Sequence, residues 1–335
     1  MKTYLAKRLL LIIPTILGIS LITFVIIRLA PGDPAAMRIG SSVEGSIGDT
    51  QMAAEIIEKT RQQFGLDKPI PVQYWMWLKS IATLNFGRSY KDNRPVMDKI
   101  WERLPITLQL NIISLFLTYL LAIPLGIYSA THQYSATDKT MTVGLFVLYS
   151  LPSFWVATIL ILFLGGGDYW HLFPISGISS LDAEKLALGA WLKDRLWHLV
   201  LPVFCLTYGG LAYISRQMRA GMLETIRQDY IRTARAKGLT EKAVIFKHAL
   251  RNSLIPIVTL MGHLLPAMLG GSVIIESIFT IPGMGLLGFE AILSRDYPVV
   301  MAISTIAAFL TLIGLLLSDI CYALVNPTIS LEAQQ

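Results

Sequence analysis

Six stretches of this chain carry no Asp, Glu, Lys or Arg over lengths near those needed to cross a hydrocarbon core, about 20 helical residues for roughly 30 Å. They are Leu9–Ile27, the interior of Leu104–Thr137, Thr140–Leu164, Leu196–Ser215, Asn252–Ile275 and Tyr297–Ser318. Backbone groups in lipid have to be satisfied within the segment or by a closed barrel, and lengths near twenty point to helices rather than strands of roughly ten residues. The expected fold is an all-α membrane protein, a single transmembrane domain over 1–335 with six transmembrane helices. A chain of 335 residues that is 54% hydrophobic and only 15% charged agrees with this and lies outside the soluble globular range.

Lys and Arg flanking the short loops set the expected orientation. Lys2, Lys7 and Arg8 precede the first span, and nine basic against three acidic residues fill 216–251. Loops 165–195 and 280–296 hold three basic residues and one. Both termini and the basic loop are therefore expected on the cytoplasmic side. Segment 31–103, with ten basic and nine acidic residues, is long enough to be translocated regardless of charge, and is expected as an external (periplasmic) insertion between the first two helices. The first apolar run is too long for the h-region of a signal peptide and no small-x-small site precedes Pro31, so a retained helix is expected.

Five of the six spans contain proline in their interior, namely Pro14, Pro124, Pro152, Pro202, and Pro256 with Pro266. Each removes a helical hydrogen bond and favours a kink. Between Leu223 and Ala234, the apolar positions Leu223, Ile226, Tyr230 and Ala234 recur at helical steps, with Arg227, Arg232 and Arg235 tending to the other side. Gly238 is suited to end that helix in a left-handed conformation, and Thr240 to cap the next, whose Val244, Ile245 and Ala249 continue the apolar face. A short rigid projection from the membrane is expected over 216–251, suited to docking another protein.

Here the chain resembles the inner-membrane permease subunits of bacterial ABC importers, in the dipeptide and oligopeptide branch. The resemblance runs from Pro31-Gly-Asp-Pro34 and Phe64-Gly-Leu-Asp-Lys-Pro69, through Asp229-Tyr-Ile-Arg-Thr-Ala-Arg-Ala-Lys-Gly-Leu239, to Ser294-Arg-Asp-Tyr-Pro-Val299 and Val325-Asn-Pro327. Gly165-Gly-Gly-Asp-Tyr-Trp170 and Leu286-Leu-Gly-Phe-Glu-Ala291 look like the Yej-type oligopeptide permeases. The resemblance implies that 216–251 is the cytoplasmic coupling loop, called the EAA loop, whose short helix enters a groove on an ATPase. Arg232, Thr233, Ala234 and Gly238 fall on its E-A-A and glycine positions, and only Ala234 and Gly238 match literally. Arg232, Thr233, Ala234, Arg235, Gly238 and Leu239 are thereby the candidate ATPase-coupling residues. The general Leu-Pro is displaced to Ile255-Pro256.

The same resemblance implies a homologous second permease subunit, two ATPase subunits or domains, and a periplasmic or extracellular substrate-binding protein, besides membrane lipid. No Gly-x-x-x-x-Gly-Lys-Ser/Thr phosphate loop is present. No cofactor is therefore expected in this chain, and ATP and Mg are expected on the partner ATPases. The chain is expected to be a permease subunit and not an enzyme.

Glu276, His263 and Trp155 are the candidates for a pathway or gate: ionisable residues within spans are functional candidates by default, and Trp155, unlike the other tryptophans, lies inside the third span. The competing reading for Glu276 is structural pairing, and for His263 a packed, hydrogen-bonded core position. Arg28 and Asp319, near span ends, fit either pairing or snorkelling. Same-fold importers of nickel, glutathione or glycosides remain alternatives to a peptide importer. A secondary transporter would show a buried charge relay and commonly an internal repeat, and neither is apparent. The five histidines show no metal-binding spacing, and confinement of the basic loop between two spans argues against nucleic-acid binding.

Overall fold

The computed structural model describes residues 2–29, 55, 57–59, 61–62, 65–166, 169–260, 268 and 270–325. The proline-rich exit at 30–34, the turn-rich 40–50, most of 51–64, His263 and Pro266 lie outside the described residues. The described chain is helical, with only two single-pair β-bridges among its described residues. In order, the principal helices are α1 (Lys2–Leu29), α2 (Ile70–Ala82), α3 (Val96–Thr131), α4 (Ala136–Ser150), α5 (Ser153–Leu164), α6 (Leu188–Ile226), α7 (Asp229–Ala236), α8 (Ile255–Leu260), α9 (Val273–Ile278), α10 (Met284–Leu293) and α11 (Tyr297–Val325).

Helices α3 and α6 form the spine. At 1.5 Å per residue, the 36 residues of α3 run roughly 54 Å, longer than a hydrocarbon core. Three buried clusters follow one another along it. Val96 and Ile100 pack with Phe24, Trp77, Met284 and Val299 at one end. Leu110 meets Leu199, Val203 and Phe279 in the middle. Ala122, Ile127 and Ala130 pack against Ile214, Met218 and Met222 at the other end. Small polar side chains stitch the middle of the seam: Thr207 donates to Ser114 Oγ at 3.2 Å and Thr118 to the Thr207 carbonyl at 3.4 Å. Such close packing and hydrogen bonding hold helices together where lipid offers no hydrophobic drive between them.

Four helices are long and apolar enough to cross a membrane, or five if α4 and α5 count together. The expectation of one continuous span over Thr140–Leu164 is overturned: α4 and α5 meet at 95°. Pro152 lacks an N–H and excludes Leu151 from the helical region, leaving Leu151 extended at ψ 127. The freed Leu151 carbonyl accepts from Tyr208 Oη at 2.8 Å. Pro14, Pro124 and Pro202 stay inside helices. A continuous helix over Asn252–Ile275 is overturned as well. The chain is non-helical at Gly271 and Ser272, with Gly271 left-handed at φ +61, before α9 begins.

Helix α3 begins at Val96, within the segment 31–103, because charged residues in its first turns end the charge-free run without ending the helix. The loop before α3 is fastened to α11. Buried Asp296 accepts from the Ser89 hydroxyl and from the Tyr90 amide at 2.8 Å, and lies 3.7 Å from Lys99 Nζ. Lys99 also pairs with Asp92 at 2.8 Å. Arg28 bonds the Gln73 side chain of α2, and Arg8 pairs with Asp319 at 2.7 Å, so α1 is tied at both ends within the chain.

Replacing Asp296 by Ala leaves the Ser89 hydroxyl and the Tyr90 amide without their carboxylate acceptor in a buried site, for an expected loss of about 3 kcal/mol. Thermal unfolding of the detergent-solubilised protein checks this; a melting temperature equal to wild type would contradict the anchoring role.

Candidate functional site

The basic loop is a folded unit held from beneath. Its first part is the end of α6, which continues past Arg216 to Ile226. There Arg219 donates to Asp138 at 2.8 Å, and buried Asp138 also accepts from the Ser129 hydroxyl and the Tyr134 amide. These bonds fix the ends of α3, α4 and α6 relative to one another. Ser135 caps α4 by accepting from the Asp138 amide at 3.1 Å.

The helix expected to run from Leu223 to Ala234 is broken at Arg227 and Gln228, the latter extended at φ −71, ψ 150. The break turns α7 so that Ile231 and Ala234 are buried against Met218, Met222 and Val244, while Tyr230 is 41% exposed. Tyr230 is therefore not on the buried face, as an unbroken helix would have placed it. Its hydroxyl accepts from Asn252 Nδ2 at 2.7 Å.

Gly238 has φ +79, the left-handed conformation that lets the chain reverse after α7. The Thr240 hydroxyl accepts from the Ala243 amide at 3.4 Å and caps the following turn. Across the reversal, Arg235 clasps Glu241 through two bonds, Nη2 to Oε1 at 2.5 Å and Nε to Oε2 at 3.1 Å. The Arg235 hydrogen bond holds the Glu241 carboxyl below its ordinary 4.5. Val244–Ala249 then forms a π-helical turn, whose i→i+5 bonding keeps buried Val244 and Ala249 on one side.

Of the candidate coupling residues, Arg232, Thr233, Arg235, Gly238 and Leu239 are exposed together on one rim, and Ala234 lies beneath them in the core. Sequence reasoning missed Ile231, which with Ala234 bears the loop, and the Asp138–Arg219 pair. The three-residue step from Ile231 to Ala234 was a visible signal; the ion pair, 81 positions apart, had none.

Of the pathway candidates, His263 lies outside the described residues, and Trp155 and Glu276 sit in different surroundings. Trp155 sits in the first turn of α5, 46% exposed. Glu276 is 1% exposed in α9, where its carboxylate accepts from the Leu286 amide at 2.7 Å, the Ser272 amide at 3.3 Å and the Thr107 hydroxyl at 3.3 Å. Thr107 in turn accepts from the Met284 amide at 2.7 Å. Glu276 thus fastens the break before α9 and the start of α10 to the spine, the geometry of structural pairing. A Cβ on Gly271 would stand 2.7 Å from the Gly285 amide nitrogen, so this close approach also needs glycine. A different polar set lines a mid-span cavity of about 360 Å³ between α3 and α6: Asn111, Ser114, Thr118, Tyr119, Gly210 and Tyr213.

The described chain is a helical membrane protein whose two-helix spine ends in a folded basic loop. A family described as the binding-protein-dependent transport system inner membrane component matches residues 122–331, and its N-terminal membrane component matches 1–111. The chain belongs to this family of ABC importer permeases and is a multi-pass inner-membrane protein. It is 40% identical to the oligopeptide transport system permease protein AppB of Bacillus subtilis, over 98% of this chain and 99% of that protein. It is 35% identical to the inner membrane ABC transporter permease protein YejB of Escherichia coli O157:H7 over the full length of both. Identity to the peptidoglycan transport system permease protein YejB of Agrobacterium fabrum is 32%, over 99% of each chain.

Two outcomes follow from this geometry. The depressed Glu241 value means that the clasp is intact above the ordinary glutamate range and is lost as pH falls through the lowered value. A carboxyl-carbon titration of Glu241 is expected to have its midpoint below 4.5, returning toward 4.5 in Arg235→Gln and at roughly 1 M salt, because the pair is exposed. Glu276→Ala leaves buried amides without an acceptor and is expected to destabilise by about 3 kcal/mol, with Glu276→Gln intermediate. Transport lost in Glu276→Gln without any fall in melting temperature would instead restore the gate role.

Proposed function

We propose that this chain is one of two membrane halves of an ATP-driven peptide importer, and that its basic loop docks onto a cytoplasmic ATPase. The observation that carries the reading is the loop itself: an exposed rim of Arg232, Thr233, Arg235, Gly238 and Leu239 supported by buried Ile231 and Ala234 on the ends of α3 and α6. A load applied to that rim passes into the spine without first deforming a flexible linker. Approach of two ATPases on binding ATP would rock α3 and α6, exposing the pathway alternately to each side. The cavity lined by Asn111, Thr118 and Tyr119 is this chain's share of that pathway, and its hydroxyl and amide groups suit the repeated polar backbone of a peptide.

In this reading the loop and both termini face the cytoplasm, six helices cross the membrane, and 31–103 meets a substrate-binding protein. A homologous second permease completes the pathway, and ATP and Mg reside on the partner ATPases. Peptide as substrate is supported by the name of the Bacillus relative. The name of the Agrobacterium relative supports a second reading, in which the cargo is a peptidoglycan fragment.

The test is the assembled complex in proteoliposomes, with ATP hydrolysis and uptake of labelled peptide measured together. Gly238→Pro cannot adopt φ +79 and removes the amide that donates to the Arg235 carbonyl at 2.9 Å. It is expected to abolish uptake, with hydrolysis either uncoupled from substrate or lost with the ATPase. Unimpaired uptake by this variant would end the docking proposal; uptake of peptidoglycan fragments in preference to peptides would favour the second cargo.

A further inference from the structure

Helix α4 is seated on the bundle by a carboxylate. Of its 15 residues only Asp138 is buried, at 2% exposed, while Val143, Phe146, Val147 and Tyr149 are exposed. Met141, Leu145 and Leu148 share the face of Asp138 and are half-buried. The Asp138 carboxylate meets Arg219 of α6 at 2.8 Å and accepts from the Ser129 hydroxyl and, at 3.0 Å, from the Tyr134 amide. Just past its other end, α4 is tied to the same helix, where Tyr208 Oη donates to the Leu151 carbonyl. The helix is thus strung along α6 between two polar contacts, and the one at its start is an ion pair.

The turn of α6 that carries Arg219 also carries the basic loop. Met218 and Met222 pack against Ile231 and Ala234 of α7. Gly221 admits the returning chain so closely that a Cβ there would lie 2.7 Å from the Ser253 carbonyl oxygen. One helical turn therefore meets the loop through Met218, Gly221 and Met222, and meets α4 through Arg219. A displacement of the loop moves that turn, and the ion pair decides whether the start of α4 follows. Such a pair adds little net stability, because desolvation of both charges offsets most of their attraction. Separating the partners is nonetheless costly, since each charge is then left without its counterpart. Those two properties suit a link that transmits position.

We propose that Asp138 and Arg219 are positioning residues for transport, which make α4 move with the docking loop. The inference rests on the docking reading and adds α4 to the helices that the loop drives.

The test uses the complex with its partner subunits in proteoliposomes. Asp138→Asn with Arg219→Met removes both charges together and keeps an acceptor for Ser129 and Tyr134. This double variant is expected to melt close to wild type and to keep its ATPase, while peptide taken up per ATP hydrolysed falls by about fivefold or more. Arg219→Lys retains the charge and is expected to keep most of the wild-type ratio. Spin labels at exposed Val143 and Leu181 report α4, and labels at exposed Lys247 and Leu181 report the loop. On trapping the ATP-bound state, both distances are expected to change in wild type, and only the loop distance in the double variant. An unchanged uptake ratio in the double variant overturns the proposal, as does an α4 distance that still changes there. A double variant that fails to assemble makes the pair structural and overturns it too. A wild-type loop that moves while α4 stays still sinks this inference and leaves the docking reading standing; a wild-type complex that holds no ATPase sinks both.

Discussion

The seam between α3 and α6 is the interaction on which the rest of the molecule depends. It is long because both helices outrun the membrane, and close because hydroxyl-bearing and small side chains sit where the two backbones approach. In water such a seam would be held largely by expulsion of solvent, but in lipid its strength comes from fit and from bonds such as Thr207 to Ser114. One end carries the insertion and α11, and the other carries the basic loop. What one end does the other end feels, since no joint interrupts the helices between them.

Where the other membrane segments are interrupted, the interruption is chemically provided for. The carbonyl released at Leu151 is taken up by the Tyr208 phenol of α6, and the amides released around Gly271 and α10 by the Glu276 carboxylate. Non-helical backbone at membrane depth persists only with such partners. The same requirement explains why a glutamate lies buried here: it is an acceptor with room for several donors, a role that a hydrophobic residue of equal size could not fill.

The apolar segments, the left-handed Gly238 and the Thr240 cap were legible in the sequence because each rests on local chemistry. Helix lengths were less so, since α3 and α6 carry charged residues at their ends without stopping. Pro152 could not be told from Pro124 or Pro202 by composition; what distinguishes it is a phenol, 57 positions from Leu151, that takes up the carbonyl freed by the bend. The rim of the loop was legible as exposed and basic, but the face of α7 that turns inward hung on a two-residue break at Arg227 and Gln228. The docking role proposed for that rim came through likeness to a family. The residues that bear it, Ile231, Asp138 and Arg219, gain their meaning only from tertiary neighbours.

The Arg8–Asp319 bridge has a consequence for connectivity. It sets the beginning of the first helix beside the late turns of the last, so the order of helices along the polypeptide closes on itself in space. A short peptide joining these two ends would encircle nothing and strain nothing, and the chain could be reopened at an exposed turn elsewhere.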